Sequence, residues 1–144
     1  MGFRVSSQGL VLIAVAISLL AVCQAKTVVV GGSQGWRFGF NYTDWTLKNG
    51  PFYIKDTLVF KYSPPSNAGA HDVYLLPDLW SYITCDFRRA KLVAKATQGG
   101  GQGFKFVLNQ WRPHYFACSQ GANRSHCKKG LMKFFAVPWP HWQL

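Results

Sequence analysis

The stretch that most constrains this chain is Cys118 to Lys133, CSQGANRSHCKKGLMK. It carries two thiols (Cys118, Cys127), an imidazole (His126) and a thioether (Met132), separated by Ser, Gln, Gly, Asn and Lys. It also joins two runs that read as strands, Trp111 to Cys118 and Met132 to Val137. A chain that folds around this loop has soft donors at its disposal.

Soft sulfur combined with imidazole suits copper, and two His, one Cys and a weak axial Met make the blue-copper arrangement. The loop is one imidazole short. The upstream candidate is His71 in AHDVYLL, on the parity of Val73 and Leu75 and so placed inward at a strand end. His114 lies four residues before Cys118 on the same strand, roughly 13 Å away at strand rise, too far to share an ion. His141 sits in the Pro/Trp-rich terminus and is assigned no role. Zinc is the competing metal, through Cys118, Cys127, His71 and His126. Structural zinc sites draw on close pairs such as C-x₂₋₄-C, whereas these cysteines are nine positions apart and Cys85 would be stranded.

Met1 to Ala25 reads as a secretory leader, with Arg4 in a positive n-region, an apolar run from Leu10 to Val22 and small residues at its end. The apolar run is too short to span a membrane. Cleavage after Ala25 leaves 119 of the 144 residues, enough for one domain with a core. Three cysteines remain, Cys85, Cys118 and Cys127. In an oxidising compartment an odd count means one disulfide and one thiol with another task. Three pairings are open. If His126 and Cys127 are extended, their side chains diverge, so that one faces a metal and the other reaches Cys85. This favours Cys85–Cys127 and leaves Cys118 as a thiolate ligand.

Without the leader, fifteen Lys and Arg face five Asp, and the chain has no Glu. Such charge attracts acidic partners, for instance cell-wall polysaccharide or acidic proteins. Export argues against nucleic acid, and the basic residues are dispersed rather than clustered. Asn41-Tyr42-Thr43 and Asn123-Arg124-Ser125 are N-glycosylation sequons. The C-terminus lacks the apolar tail of a GPI anchor, so a soluble extracellular protein is expected.

The mature chain reads as short strands and turns, with no amphipathic helical stretch of any length. Strands are expected over Thr27–Val30, Phe52–Tyr62, His71–Leu76, Lys91–Ala96, Phe104–Leu108, Trp111–Cys118 and Met132–Val137. In Phe52–Tyr62 the residues Phe52, Ile54, Leu58, Phe60 and Tyr62 share one face. Pro77–Cys85 holds a short helical turn, Gln98–Gly103 is a Gly-rich turn, and Pro138 and Pro140 end regular structure. This spacing predicts a single all-β sandwich or barrel over 26–138, followed by a short tail at 139–144.

The motifs VVVGGSQGW, FNYTDW, DTLVFKY, AHDVYLL, SYITC, YFAC and HCKKG leading into MKFFAV occur in that order between Thr27 and about Val137. In this the chain resembles the plant phytocyanins, the blue copper proteins that include plantacyanins, uclacyanins, stellacyanins and early nodulin-like proteins. The resemblance implies a cupredoxin-like Greek-key β-sandwich. It implies one copper held by His71, Cys118, His126 and Met132, with a Cys85–Cys127 bridge beside it. Seven residues separate Cys118 from His126 where the family places four, and longer loops are tolerated thermodynamically. Strict counting puts Leu131 at the axial position; Met132 is preferred because it directly precedes Lys133 and the strand FFAV. The expected function is electron carriage with an unknown redox partner, not enzymatic turnover, since no Ser–His–Asp set, phosphate loop or paired carboxylates occur. The alternative is a non-redox module of the same fold, in wall organisation or signalling, with weak or no copper binding.

Overall fold

The computed structural model describes residues 24–141. The leader, apart from Gln24 and Ala25, lies outside the described residues. Among the described residues, nine strands form three sheets. The first has the order β1 (Thr27–Val29), β3 (Thr57–Phe60), β6 (Phe104–Val107), with β1 parallel and β6 antiparallel to β3. The second, fully antiparallel, has the order β5 (Lys91–Ala94), β4 (Val73–Leu76), β7 (His114–Ala117), β8 (Lys133–Ala136). A short parallel pair joins β2 (Phe52–Tyr53) to β9 (Pro138–Trp139).

The two larger sheets share a core that follows from their period-2 patterns. Leu58 and Phe60 from β3 meet Val73, Phe116 and Phe134 from the second sheet, all essentially inaccessible. Phe60 lies 5.2 Å from Phe116 between ring centroids, and Trp36 closes over Phe60 edge-on at 5.4 Å. Aromatic pairs at these separations add to the burial of their area. The outer face of the second sheet carries a smaller cluster, Leu76, Cys85, Ala117 and Cys127, with Tyr82, Phe87 and Tyr115 against it. The all-β sandwich is therefore as expected.

Four local expectations are corrected. First, a helix α1 (Tyr42–Asn49) occurs where none was expected. Asn41 accepts the Asp44 N–H as its N-cap, and Lys48 pairs with Asp44 one turn away. Its buried residues are Tyr42 and Trp45, a stripe too narrow to register as a helical period. Second, Phe52–Tyr62 is two strands, broken at Lys55, which adopts φ 77°. Asp56 organises that break by accepting the N–H groups of Tyr53 and Lys26 at 2.8 and 2.9 Å. Third, Pro138 does not end regular structure but opens β9, on an edge that needs no Pro N–H. Fourth, His126 and Cys127 are helical, in α3 (Ser125–Lys128), rather than extended. The short helix expected in Pro77–Cys85 is α2 (Leu79–Thr84), whose N-cap Asp78 accepts the Ser81 N–H. Among the described residues, no helix is long and apolar enough to cross a membrane.

Candidate metal centre

The site lies at one end of the sandwich, where β4 begins and β7 ends. His71 precedes β4 by two residues, and Cys118 follows β7 directly. Because β4 and β7 are hydrogen-bonded neighbours, with Tyr74 opposite Ala117, this register alone brings the two side chains together. His126 arrives by a longer route. The seven extra-strand residues from Ser119 to Ser125 fold into a 3₁₀ turn (Ala122–Arg124) that runs into α3. Asn123 and Arg124 take left-handed φ values of 52° and 60°. Gly121 has φ 83°, and a Cβ there would collide with Ser125 and the His126 ring. The loop is tied back by Arg124 Nη1 donating to the Ser119 carbonyl and by His126 N–H donating to the Gln120 carbonyl.

Three donor atoms converge. His71 Nδ1 and His126 Nδ1 are 3.2 Å apart, and Cys118 Sγ lies 4.0 Å from the first and 3.5 Å from the second. A first-row ion with bonds of about 2.0 Å to imidazole and about 2.3 Å to thiolate needs donor–donor edges of about 3.5–3.8 Å in a trigonal set. The cluster matches that triangle closely, so the residues fit a metal ion. Burial lowers the His126 pKa, and burial followed by repulsion from His126 lowers that of His71. Both rings are thereby kept neutral, the form that ligates. Burial pushes the Cys118 thiol up to about 12, so a metal must displace its proton on binding.

Met132 and Leu131 are sorted by the backbone. Leu131 turns the chain with φ 56° and is 49% exposed, while Met132 is fully buried and packs in the same cluster as Cys118. Met132 N–H donates to the His126 carbonyl and its own carbonyl accepts the Cys118 N–H, each at 3.0 Å. The segment thus clamps both downstream donors. Cys85 and Cys127 are joined, leaving Cys118 as the free cysteine among the described residues. In α3 neighbouring side chains diverge by about 100°, so Cys127 can face α2 while His126 faces Cys118. The divergence inferred for extended backbone is thus supplied by a helix.

Sequence reasoning passed over Asp72. It is 4% exposed and accepts from Ser119 N–H (2.7 Å), Ser119 Oγ (2.6 Å) and Gln120 Nε2 (2.7 Å). Its carbonyl accepts Trp36 Nε1–H at 2.9 Å. One residue therefore fixes both His71, its neighbour, and the segment that follows Cys118. The signal available was a charged residue inside an apolar strand motif. Phe38 was also passed over; its ring stands edge-on to His126 at 5.5 Å and is 46% exposed. His114 lies apart, between Phe106 and Phe116. His141 stacks on Tyr53 at 4.9 Å. Asn41 and Asn123 are both exposed.

Two facing sheets with a His–Cys–His cluster between the strand ends define a cupredoxin-like protein. The chain belongs to the phytocyanins within that class, and the family described as a plastocyanin-like domain matches residues 36–131. Cucumber stellacyanin, in a structure with Cu²⁺ at pH 7.0, superposes with a TM-score of 0.66 at 24% identity over 83% of this chain and 100% of its own. Cucumber basic protein, a blue copper protein, gives 0.57 at 28% identity over 78% and 98%. Spinach plantacyanin gives 0.50 at 27% identity over 72% and 93%. A comparison with curated protein sequences finds no match.

Proposed function

We propose that the protein is a secreted blue copper protein, acting as a small electron carrier at the cell wall, and not an enzyme. The observation that carries this reading is the convergence of His71 Nδ1, Cys118 Sγ and His126 Nδ1 within 4.8 Å of one another. In this reading Met132 would supply the weak fourth donor, because it is buried beside Cys118 while Leu131 faces solvent. Bound copper supplies one-electron exchange between its cupric and cuprous states. The chain holds the donors in one geometry: Asp72 and the Met132 backbone fix their positions, and the Cys85–Cys127 bridge anchors the helix that bears His126. A site held in this way rearranges little when its charge changes, and the ligand set leaves a substrate no open position.

The purified protein given Cu²⁺ should turn intensely blue, through charge transfer from the Cys118 thiolate. Cys118→Ser should abolish the colour with the circular dichroism unchanged. A colourless wild-type protein, or a blue variant, overturns the reading. Met132→Gln should lower the reduction potential, since a harder oxygen donor favours the cupric state, whereas Leu131→Gln should leave it nearly unaltered. The reverse pattern by voltammetry transfers the axial role to Leu131's position.

A further inference from the structure

We propose that the groove beside His71 binds a polyhydroxylated carboxylate of the uronic-acid class. This groove, of about 520 Å³, runs between the turn Gly32–Gln34, the segment after β3 and the Gly-rich turn at Gly99 to Gly101. Its volume falls in the range of small-molecule sites, and it is open along its length.

The lining is cationic, with the buried Asp72 carboxylate acting on His71 and Tyr62 from behind the wall. Arg37 and Lys61 border the groove, and no Asp or Glu does. The five acids are committed elsewhere. Asp44, Asp78 and Asp86 pair with Lys48, Arg89 and Arg88, and Asp56 and Asp72 are buried, receiving hydrogen bonds. Among the described residues neither Arg37 nor Lys61 takes part in an ion pair. Gln34 Oε1 accepts from Arg37 Nη1 at 2.8 Å, which steadies the guanidinium fork that suits a carboxylate.

The rest of the lining selects among anions. Trp36 and Tyr62 are 1% and 7% exposed, so no aromatic face is free to stack an aromatic acid. Ser33 and Ser63 also line the wall, and their type suits a ligand rich in hydroxyl groups. Gly100 adds an independent observation. Its φ is not left-handed, and nothing lies within 4 Å of where a Cβ would stand. Neither backbone conformation nor packing requires a glycine there. The bare backbone instead keeps the groove wall low, as a sugar ring lying against it needs.

The groove shares His71 with the metal centre, so binding is tested on the protein both with and without the metal, by calorimetry and by amide chemical shifts. The probes are galacturonate and trigalacturonate. Binding of both, tighter for the trimer, identifies a chain of uronic acids as the ligand; equal binding identifies the free sugar acid. Gly100→Glu, which places a carboxylate in open space, should weaken either by at least about tenfold, as should Lys61→Ala. Gly100→Ala, which raises the wall by one methyl without adding charge, should weaken binding less than Gly100→Glu does, which separates charge from the loss of the bare backbone. No binding of either probe, or full binding by Gly100→Glu, overturns the proposal. A protein that never turns blue yet binds the probes leaves it standing, and a blue protein that binds neither removes it alone.

Discussion

At the scale of single residues, two buried polar groups stand out because they are served so differently. Asp72 has three donors within 2.7 Å, so its carboxylate is fully used. Asp72→Asn turns an acceptor atom into a donor facing other donors and leaves at least one unpaired. A loss of about 1–3 kcal/mol is expected in urea titration, and an unchanged midpoint would show that these contacts are incidental. His114 is the opposite case. It is 4% exposed, and its Nδ1 has no hydrogen-bond partner. Burial lowers its pKa, opposed by the carbonyls of Arg112 and Ala136. The folded protein therefore holds His114 neutral while the unfolded chain takes up a proton below its ordinary value of 6.5. The resulting stability is present above pH 6.5 and is lost as pH falls from there toward the folded value. His114→Phe, set between Phe106 and Phe116, should flatten that acid limb and leave stability at pH 8 equal or higher. Denaturation midpoints measured across pH check it.

At the scale of elements, α2 is short enough to depend on its ends. Asp78 caps its start. At its other end Lys133, reaching across from β8, donates to the carbonyls of Tyr82 and Ile83 at 2.9 and 3.2 Å, with its ammonium 4.9 Å from the Tyr82 ring. Those carbonyls belong to the last turn, where a cation also meets the negative end of the helix dipole. Lys133→Met keeps the length of the side chain but removes the donor. It should cost about 1–2 kcal/mol, and amide exchange should rise in α2 before it rises in β8. Uniform exchange across both elements would argue that Lys133 does not hold the helix.

At the scale of the whole molecule, the Cys85–Cys127 bridge spans 42 residues and ties α2 to the helix that carries His126. A closed loop of that size restrains the unfolded chain by about 4 kcal/mol. The double variant Cys85→Ala, Cys127→Ala should lose stability on that scale in thermal or denaturant unfolding. It should also lose copper affinity, because the bridged Cys127 is the neighbour of His126 in the four-residue α3. Stability lost with copper affinity intact would confine the bridge to a role in folding.

Residue types and strand periods were readable before any tertiary contact was known. The group His71, Cys118 and His126 and the pair Cys85 and Cys127 were legible because soft donors and an odd thiol count restrict what such residues can do. The sandwich was legible because Leu58, Phe60 and Tyr62 alternate with Val59 and Lys61 on one strand parity, and all three enter the core. Tertiary structure decided what depends on neighbours distant in the chain. The run Phe52–Tyr62 broke at Lys55 because Asp56 could collect N–H groups from Tyr53 and from Lys26, thirty residues away. The helix Tyr42–Asn49 forms on a cap and an ion pair, with its two buried aromatics packed against β8 residues. Asp72 gained its importance only when β4 and β7 paired and brought Ser119 and Gln120 to its carboxylate. The direction in which Leu131 and Met132 point was likewise decided by a left-handed turn at Leu131, which the surrounding hydrogen bonds impose and no local pattern announces.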